Sequence, residues 1–165
     1  MVNDSEVRPI VVGVDGSPAS RAALRWAVEE AARRHCPIEA VLAFHEDFGM
    51  VIGAVPSEVL TVMTADRMSE VGRRVVDGAI AELATDVEVR AVLTPDDPRH
   101  ALTSASENAV LLVVGSGSKG PVRAMLLGSV STYCARHASC PVVVVRDPAE
   151  HGAKASHTAL SGVVL

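Results

Sequence analysis

The sequence predicts an α/β fold, an open parallel sheet of five strands with helices on both faces. Short apolar segments of strand length alternate five times with segments of helical spacing, the pattern of a parallel sheet covered on both sides. Residues 10–14 (IVVGV) and 110–114 (VLLVV) are the most uniformly apolar early strands, so they are expected at the centre of the sheet. With 165 residues, the chain is long enough for one domain with a substantial core.

The first strand leads into a helix through a turn with clear helix-start signals. Ser17 is a suitable N-cap, and Pro18 suits the first helical position. The helix is predicted to run to about His35 and to present small and apolar residues on one face, namely Ala23, Trp26, Ala27 and Ala31. Asp15 follows the first strand, where open parallel sheets bind ligands, although an acidic residue there also shapes turns.

A second strand is predicted over residues 38–45, because Pro37 ends the preceding helix. His45 and Glu46 lie at the carboxyl end of this strand. The next connection, residues 47–56, is apolar and irregular, and it is either a flap over a site or a packing surface.

The middle of the chain continues the alternation of helix and strand. Ser57 can N-cap a long helix that runs to about Ala84. Residues 87–93 alternate between apolar and polar side chains, which is typical of an edge strand. A short helix follows over residues 96–107, with Pro98 in its first turn.

The end of the chain carries a predicted helix, Ser129–His137, and a continuously apolar strand, Val142–Val145. We place the domain at residues 9–147, with an N-terminal extension over residues 1–8. Residues 148–165 are small and polar until the final VVL, and they are expected to form a disordered tail.

Residues 110–131 (VLLVVGSGSKGPVRAMLLGSVS) combine a strand, a glycine- and serine-rich loop and a helix start. Glycine lets the backbone approach a ligand closely, and free amides at a helix N-terminus bind anions. Two small-residue clusters, one leaving a strand and one opening a helix, therefore predict a phosphate cradle.

The loop does not satisfy two familiar phosphate-binding motifs. Gly115, Gly117 and Gly120 match the dinucleotide fingerprint in spacing, but Pro121 follows directly and no acidic residue lies about 20 positions further on. A P-loop requires Lys followed by Ser or Thr, whereas Lys119 is followed by glycine.

The stretch resembles the nucleotide-binding motif of the universal stress protein family, which is Gly-x-x-Gly, nine residues, then Gly-Ser or Gly-Thr. Here the sequence reads Gly115-Ser-Gly-Ser118, nine residues, then Gly128-Ser129, with Ser118 in place of the second glycine. VVGVDGSPAS (residues 11–20), LGSVS (127–131) and CPVVVVR (140–146) extend the resemblance over residues 10–146.

The resemblance implies the strand order 3-2-1-4-5, an adenine-nucleotide alpha-hydrolase-like or Rossmann-like architecture, and ATP as ligand. In that order, Asp15 and Gly115 meet where the strand order reverses, the usual ligand crevice of open α/β sheets. The Asp15 carboxylate would contact the ribose, and the backbone at His45 and Glu46 would meet the adenine edge. The nucleotide-binding residues implied are Gly13, Val14, Asp15, His45, Glu46, Gly115, Ser116, Gly117, Ser118, Gly128, Ser129, Val130 and Ser131.

Ser118 is the departure from the motif. If that position requires a positive φ, a residue other than glycine costs about 1–2 kcal/mol, unless Gly117 or Gly120 takes over the turn. Lys119 and Arg123 either reach the distal phosphates or are solvated. Mg²⁺ would arrive with the nucleotide, and no metal-ligating residue is predicted.

Composition excludes several classes of partner. The net charge of −5 without a basic run argues against nucleic acid, and no stretch of about 18 apolar residues predicts a membrane span. The acidic, polar N-terminus is unlike a secretory signal, so a cytoplasmic location with reduced thiols is expected for Cys36, Cys134 and Cys140. Cys134 and Cys140 could alternatively ligate metal or sense redox state. His100 and Ser104 lack the nucleophile elbow of a hydrolase triad.

Three functions fit these observations. The leading one is a dimeric, ATP-binding regulatory module of the stress response with little turnover, since no general base is evident and no catalytic residue is predicted. The others are a nucleotide-free dimeric scaffold and a slow ATPase. Cyclic AMP is a further candidate ligand that the sequence does not rank against ATP.

The flat apolar edge Val142–Val145 predicts a homodimer, because in the family this strand pairs with the same strand of a second copy.

Overall fold

A computed structural model describes residues 7–44, 65–117 and 127–147. Strands and helices alternate along the chain. The strands are β1 (Ile10–Gly13), β2 (Ile38–Ala43), β3 (Val89–Thr94), β4 (Leu111–Gly115) and β5 (Val142–Val145). The helices are α1 (Pro18–Arg34), α2 (Ala65–Ala81), α3 (Pro98–Ser106) and α4 (Ser129–His137).

The five strands form one parallel sheet in the order β3-β2-β1-β4-β5. Val12 of β1 lies between Ala40 of β2 and Val113 of β4 in the register of the sheet. The predicted order is therefore confirmed, with β1 and β4 in the interior and β3 at an edge, as their apolar and alternating patterns indicated.

Successive side chains of each strand point to opposite faces of the sheet, so the core consists of two layers, one on each face. One layer packs around Val12 and Val113 and includes the fully buried alanines of α1, which are Ala23, Ala27 and Ala31. The other layer contains Leu112, Leu102 of α3 and Cys134 of α4. Small alanines let α1 lie close to the sheet, so the core needs few aromatic residues.

Helix α1 begins and ends as the sequence predicts. The Ser17 hydroxyl accepts a hydrogen bond from the Ser20 amide at 3.1 Å, and Pro18 occupies the first helical turn. At the other end, His35 adopts the left-handed conformation (φ 54°), and its amide donates to the Ala31 carbonyl.

Several boundaries differ from the predicted ones. β1 ends at Gly13 instead of residue 14, β4 is Leu111–Gly115 instead of residues 110–114, and α2 ends at Ala81 instead of Ala84. β3 begins at Val89 instead of residue 87, because the Val87 amide is engaged by the Thr85 hydroxyl at 3.1 Å. α3 begins after Asp97, whose carboxylate accepts from the Arg99 amide at 2.8 Å and so acts as the N-cap.

Another boundary that differs is the end of β2, which stops at Ala43, although the Phe44 amide still donates to the Thr94 carbonyl at 3.0 Å. Several predictions lie outside the described residues, namely the strand end at His45, the connection over residues 47–56, the helix start at Ser57 and the tail over residues 148–165. Among the residues that the structure describes, no helix combines the length and the hydropathy needed to cross a membrane.

Candidate functional site

A cleft of about 210 Å³ opens where β1 and β4 end and the strand order reverses. Its walls come from the carboxyl ends of three strands and the amino ends of three helices. The described lining residues are Gly13, Val14, Asp15, Ser17, Ser20, Val41, Leu42, Ala43, Pro98, Leu102, Val114, Gly115, Gly117, Gly128, Ser129, Val130 and Ser131. A crevice in this position is where open parallel sheets bind ligands.

Asp15 shapes the turn between β1 and α1 and also lines the cleft. One carboxylate oxygen, Oδ1, accepts a hydrogen bond from the Ser17 amide at 2.9 Å, which closes an Asx turn. The Ser20 hydroxyl donates to the Ser17 carbonyl at 3.0 Å, fixing the first turn of the helix. Half-buried Asp15 is therefore held at the edge of the cleft by its own turn.

Gly115 allows the end of β4 to approach the start of α1. A Cβ atom at this position would lie 2.8 Å from the backbone carbon of Ala19 and 2.9 Å from the Ser20 nitrogen. No side chain fits there without moving the helix backbone. The end of β4 and the start of α1 therefore border the same crevice.

Gly117 and Gly128 form a second close approach, this time between two loop segments. Gly117 has a positive φ of 68°, and a Cβ on Gly128 would lie 3.1 Å from the Gly117 Cα. The Gly128 amide donates to the Ser116 carbonyl at 2.8 Å. The loop after β4 is thereby joined to the start of α4.

The N-terminus of α4 presents backbone amides to the cleft. Its first intrahelical bond runs from the Thr132 amide to the Gly128 carbonyl at 2.9 Å, so the amides of Ser129, Val130 and Ser131 have no carbonyl partner within the helix. The N-cap is Gly128, which supplies no side chain to accept from them. Three free donors at the positive end of a helix form an anion site.

Gly117, Gly128 and the amides of Ser129, Val130 and Ser131 together form a cradle that can accept a phosphate group. The two glycines lie close together because neither has a Cβ atom, and the start of α4 supplies amides without a carbonyl partner in the helix. The Ser131 hydroxyl donates to the Gly128 carbonyl at 3.0 Å, so it stabilises the helix start that carries these donors.

Ser116 lies between Gly115, which ends β4, and Gly117 in the following loop, but it does not line the cleft. It is only 3% exposed, and its amide donates to the Val145 carbonyl at 2.8 Å. Its hydroxyl oxygen is buried and has no hydrogen-bond partner in the described part of the chain. A buried hydroxyl without a hydrogen-bond partner costs free energy, and this one lies beside the cradle.

The opposite wall of the cleft is apolar. Val41 and Ala43 of β2 lie beside Pro98 and Leu102 of α3. The absence of a side chain at Gly13 makes room for this wall, since a Cβ there would lie 3.0 Å from Leu102 Cδ1. The cleft thus has an apolar half and a half rich in backbone amides, which suits an amphipathic ligand.

Comparison with known proteins assigns this architecture to a family. The model of the Universal stress protein family matches residues 6–146, which include every described helix and strand and all of the described residues that line the cleft. The chain belongs to the universal stress protein family. The sequence-based resemblance is therefore confirmed at the level of the family.

The universal stress proteins most similar in sequence include longer chains. Universal stress protein Rv2623 of Mycobacterium tuberculosis is 34% identical over 145 residues, which cover 84% of this chain and 47% of that protein. This universal stress protein therefore spans about half the length of the curated relatives that it matches.

Two solved structures illustrate the likeness of fold. The universal stress protein UspA from Lactobacillus plantarum has a TM-score of 0.61 at 22% identity, covering 87% of this chain and all of that one. A universal stress protein in complex with cAMP has a TM-score of 0.56 at 28% identity, covering 87% of this chain and 99% of that one.

Most of the predicted site residues converge on the cleft of this universal stress protein. Its described lining includes Gly13, Val14, Asp15, Gly115, Gly117, Gly128, Ser129, Val130 and Ser131. Ser116 is adjacent but buried, whereas His45, Glu46 and Ser118 lie outside the described residues. In the described part of the loop, positive φ falls on Gly117.

The apolar wall of the universal stress protein cleft was not predicted from the sequence. Val41, Leu42 and Ala43 could have been found, because they end the strand next to β1. Pro98 and Leu102 gave no signal, because only the packing of α3 against the sheet brings them to the cleft. Ser17 was predicted as a helix cap and proves also to line the cleft.

The cysteines and His100, the other residues considered for a chemical role, do not line the cleft of the universal stress protein. Cys36, Cys134 and Cys140 are free, and burial raises the pKa of the Cys134 thiol to about 11. His100 packs edge-on against Tyr133 at a ring distance of 6.2 Å. Among the described residues, no group of three or more histidine, cysteine or acidic side chains could hold a metal ion.

Proposed function

We propose that the chain binds an adenine nucleotide in the cleft between β1 and β4, with ATP as the nucleotide that the sequence motif predicts. The observation that carries the proposal is the cradle formed by Gly117, Gly128 and the free amides of α4. The amides and the close glycine contacts suit a phosphate group, and the apolar residues of the same cleft suit a base.

In this proposal the phosphate nearest the ribose is bound by the amides of Ser129, Val130 and Ser131. Each anion contact with a helix N-terminus contributes about 0.3–1 kcal/mol, and more where water is excluded. The amide of Gly117 belongs to the same cradle. The proposal assigns no ligand contact to the Ser116 hydroxyl, which is buried and does not line the cleft, and Ser118 would follow Gly117 in the cradle. Any Mg²⁺ would arrive with the nucleotide.

The nucleoside half of the ligand is assigned to the other side of the cleft. Val41, Ala43 and Leu102 provide apolar contacts for the base, and the backbone at His45 and Glu46 would meet its polar edge. Asp15 is assigned to the ribose, because it lines the cleft and one of its oxygens, Oδ1, is oriented by the Ser17 amide. Gly13 and Val14 form the floor.

We propose a regulatory binding role with little turnover, and no residue is assigned to catalysis. Asp15 is engaged in the turn that starts α1, which gives this carboxylate a structural role.

We further propose a cytoplasmic homodimer that pairs through Val142–Val145, the apolar strand at one edge of the sheet. Three free cysteines accord with a reducing compartment.

The first experiment is to denature freshly purified full-length protein and identify any released small molecule by mass. Stoichiometric ATP, ADP or another adenine nucleotide supports the proposal. An empty preparation is then titrated with ATP, AMP and cAMP by calorimetry. If none of them binds at millimolar concentration, the nucleotide-binding proposal is wrong and the scaffold function takes its place.

The same titrations separate binding from turnover. Incubation of the protein with ATP is followed by measurement of phosphate release over several hours. Release at the rate of a buffer blank is the expected result. Sustained release above the blank that Asp15→Ala abolishes would contradict the regulatory role and favour a slow ATPase.

A further inference from the structure

Ser116 joins three parts of the fold through its peptide groups. It follows β4 directly, and its amide donates to the Val145 carbonyl at the end of β5, at 2.8 Å. Its own carbonyl accepts from the Gly128 amide, also at 2.8 Å. The end of the edge strand β5 and the start of α4 are therefore bonded to the same residue.

This line of hydrogen bonds continues into the helix that carries the proposed phosphate donors. The Gly128 carbonyl accepts from the Thr132 amide at 2.9 Å and from the Ser131 hydroxyl at 3.0 Å. Gly128 is thus held on one side by Ser116 and on the other by the first turn of α4. Since hydrogen-bond networks carry energetic coupling, a shift of Ser116 is expected to move this turn and the amides that begin the helix.

Ser116 is confined between tightly packed neighbours. Its side chain is only 3% exposed, and a Cβ on the preceding Gly115 would lie 2.8 Å from the backbone carbon of Ala19 in α1. On the other side, a Cβ on Gly128 would lie 3.1 Å from the Gly117 Cα. Interiors packed this closely transmit displacements instead of absorbing them.

The Val145 end of β5 is the outermost part of this line of bonds. β5 lies at the edge of the sheet, and all four of its valines are half-buried. Peripheral segments with few buried contacts open locally more readily than the core. Val145 packs in the core layer of α1, whereas Val142 and Val144 pack in the layer of α4. The bonds through Ser116 therefore link Val145 to α4 without side-chain packing between them.

From these contacts we infer that Ser116 is a positioning residue: through it, order at the Val145 end of β5 and occupancy of the phosphate cradle favour each other. The inference rests on the proposed nucleotide-binding function for its ligand, and it adds a means of regulation. Because linkage is reciprocal, a contact that orders the end of β5 raises affinity in the cleft, and a bound phosphate stabilises the strand end.

Amide hydrogen exchange in the ligand-free protein tests the link directly. Val145→Ala loosens the end of β5, and Val143→Ala is its matched control, because Val143 is also a half-buried valine of β5 in the α1 layer. The Leu112 amide, which donates to the Pro141 carbonyl just before β5, gives the reference rate.

Relative to that reference, exchange at Ser116 and at Gly128 should be about fivefold or more faster in Val145→Ala than in Val143→Ala, the lower end of couplings between protein sites. Faster exchange at Ser116 alone would show that the strand end opens without affecting α4. Equal rates at both amides would show that order at Val145 does not act on this line of bonds. Either result overturns the inference.

Calorimetric titration of the same two variants with ATP and with AMP tests the effect on binding. Val145→Ala should bind about fivefold or more weakly than the natural chain, while Val143→Ala stays within about twofold. Urea unfolding compares the stabilities of the variants, since a general loss of packing would weaken binding in both alike. Equal affinities in the two variants overturn the inference and leave nucleotide binding in place.

Ser116→Ala is the conservative variant at the positioning residue. It removes a hydroxyl that is buried without a hydrogen-bond partner in the described part of the chain, and it keeps both peptide groups. Because the peptide groups carry the link, exchange at Gly128 and nucleotide affinity should stay within about twofold of those of the natural chain. A larger loss would assign the effect to the hydroxyl and overturn the inference.

The outcomes separate this inference from the proposed function. If the natural chain binds neither ATP nor AMP at millimolar concentration, the proposed function is wrong and the inference falls with it. If nucleotide binds, saturation should slow exchange of the Ser116 amide relative to the Leu112 amide, although Ser116 does not line the cleft. Binding without this protection shows that the inference alone is wrong.

Discussion

Gly117 and Gly128 meet backbone to backbone at the cradle, and a Cβ atom at either position would be crowded by backbone atoms. A Cβ on Gly128 would lie 3.1 Å from the Gly117 Cα and 3.2 Å from the Ser116 carbonyl oxygen. Gly117 also has a φ of 68°, a conformation that disfavours other residues. Because rigid backbone surrounds both glycines, a substitution must move the loop or the helix that carries the free amides.

Gly128→Ala is therefore expected to destabilise the protein and to weaken nucleotide binding. The introduced methyl group contacts backbone atoms that cannot rotate away, and such overpacking costs about 1–3 kcal/mol. Urea unfolding and calorimetric titration of the same preparation measure both effects. The prediction would be contradicted by a variant that binds nucleotide as well as the natural chain.

Gly78→Ala is the matched control for this substitution. Gly78 is an exposed residue within α2, and a Cβ there would meet nothing within 4 Å. Replacing glycine by alanine in a helix interior stabilises by roughly 0.5–1 kcal/mol, so this variant should be more stable and bind normally.

Asp15→Ala is expected to lower both stability and affinity, because it removes the acceptor of the Ser17 amide and the proposed ribose contact. Loss of one such hydrogen bond costs about 0.5–1.5 kcal/mol. Asp15→Asn keeps an oxygen at the same position and should retain most of the stability. Titration with adenosine, which lacks a phosphate group, reports the ribose contact separately from the phosphate contacts. Full adenosine affinity in Asp15→Ala would refute the role of this carboxylate.

The parts of the fold that the sequence predicted well depend on short-range signals. The start of α1 at Ser17 and Pro18, and that of α4 at Gly128 and Ser129, are encoded within a few residues. The strand order came from a resemblance to a family. The apolar patterns of β1 and β4 agreed with it, since central strands are buried on both faces.

The parts that were missed depend on contacts between distant segments. Leu102 reaches the cleft because α3 packs across β1, where Gly13 leaves room for its side chain. Similarly, the late start of β3 follows from the bond between the Val87 amide and the Thr85 hydroxyl. Such competition between a local turn and a strand ladder is not visible in an alternating pattern.

The Cys134 thiol predicts a loss of stability at alkaline pH. It is fully buried, and burial raises its pKa to about 11 from an ordinary value of 9.0. Between these two values the unfolded chain releases the thiol proton while the folded chain retains it. The free energy of unfolding therefore falls as pH rises through this window, with a limiting slope of roughly 1.4 kcal/mol per pH unit from this one group.

Urea unfolding from pH 8 to 10.5 measures this slope. Cys134→Ala serves as the comparison: it should be less stable at pH 8, because it leaves a cavity, yet show a smaller decline with pH. Parallel declines in the two proteins would show that other groups cause the alkaline loss.

The edge strand β5 offers a direct test of the proposed dimer through its backbone. The Leu112 amide donates to the Pro141 carbonyl and the Ser116 amide to the Val145 carbonyl, so these odd-numbered residues of β5 point toward β4. Backbone direction alternates along a strand, and the Val144 amide consequently points away from β4 at the open edge of the sheet. Pairing with a second copy would use this amide.

Val144→Pro is expected to convert the dimer to a monomer, because proline removes the outward donor while leaving the bonds to β4 in place. Val144→Ala loses comparable side-chain contacts but retains the amide, so it should remain dimeric. Sedimentation equilibrium at micromolar concentration distinguishes the two masses, and circular dichroism verifies that both variants are folded. Edge pairing through β5 requires the Val144 amide, so a dimeric Val144→Pro protein would place the subunit contact elsewhere. A natural chain that sediments as a monomer would show that there is no such dimer.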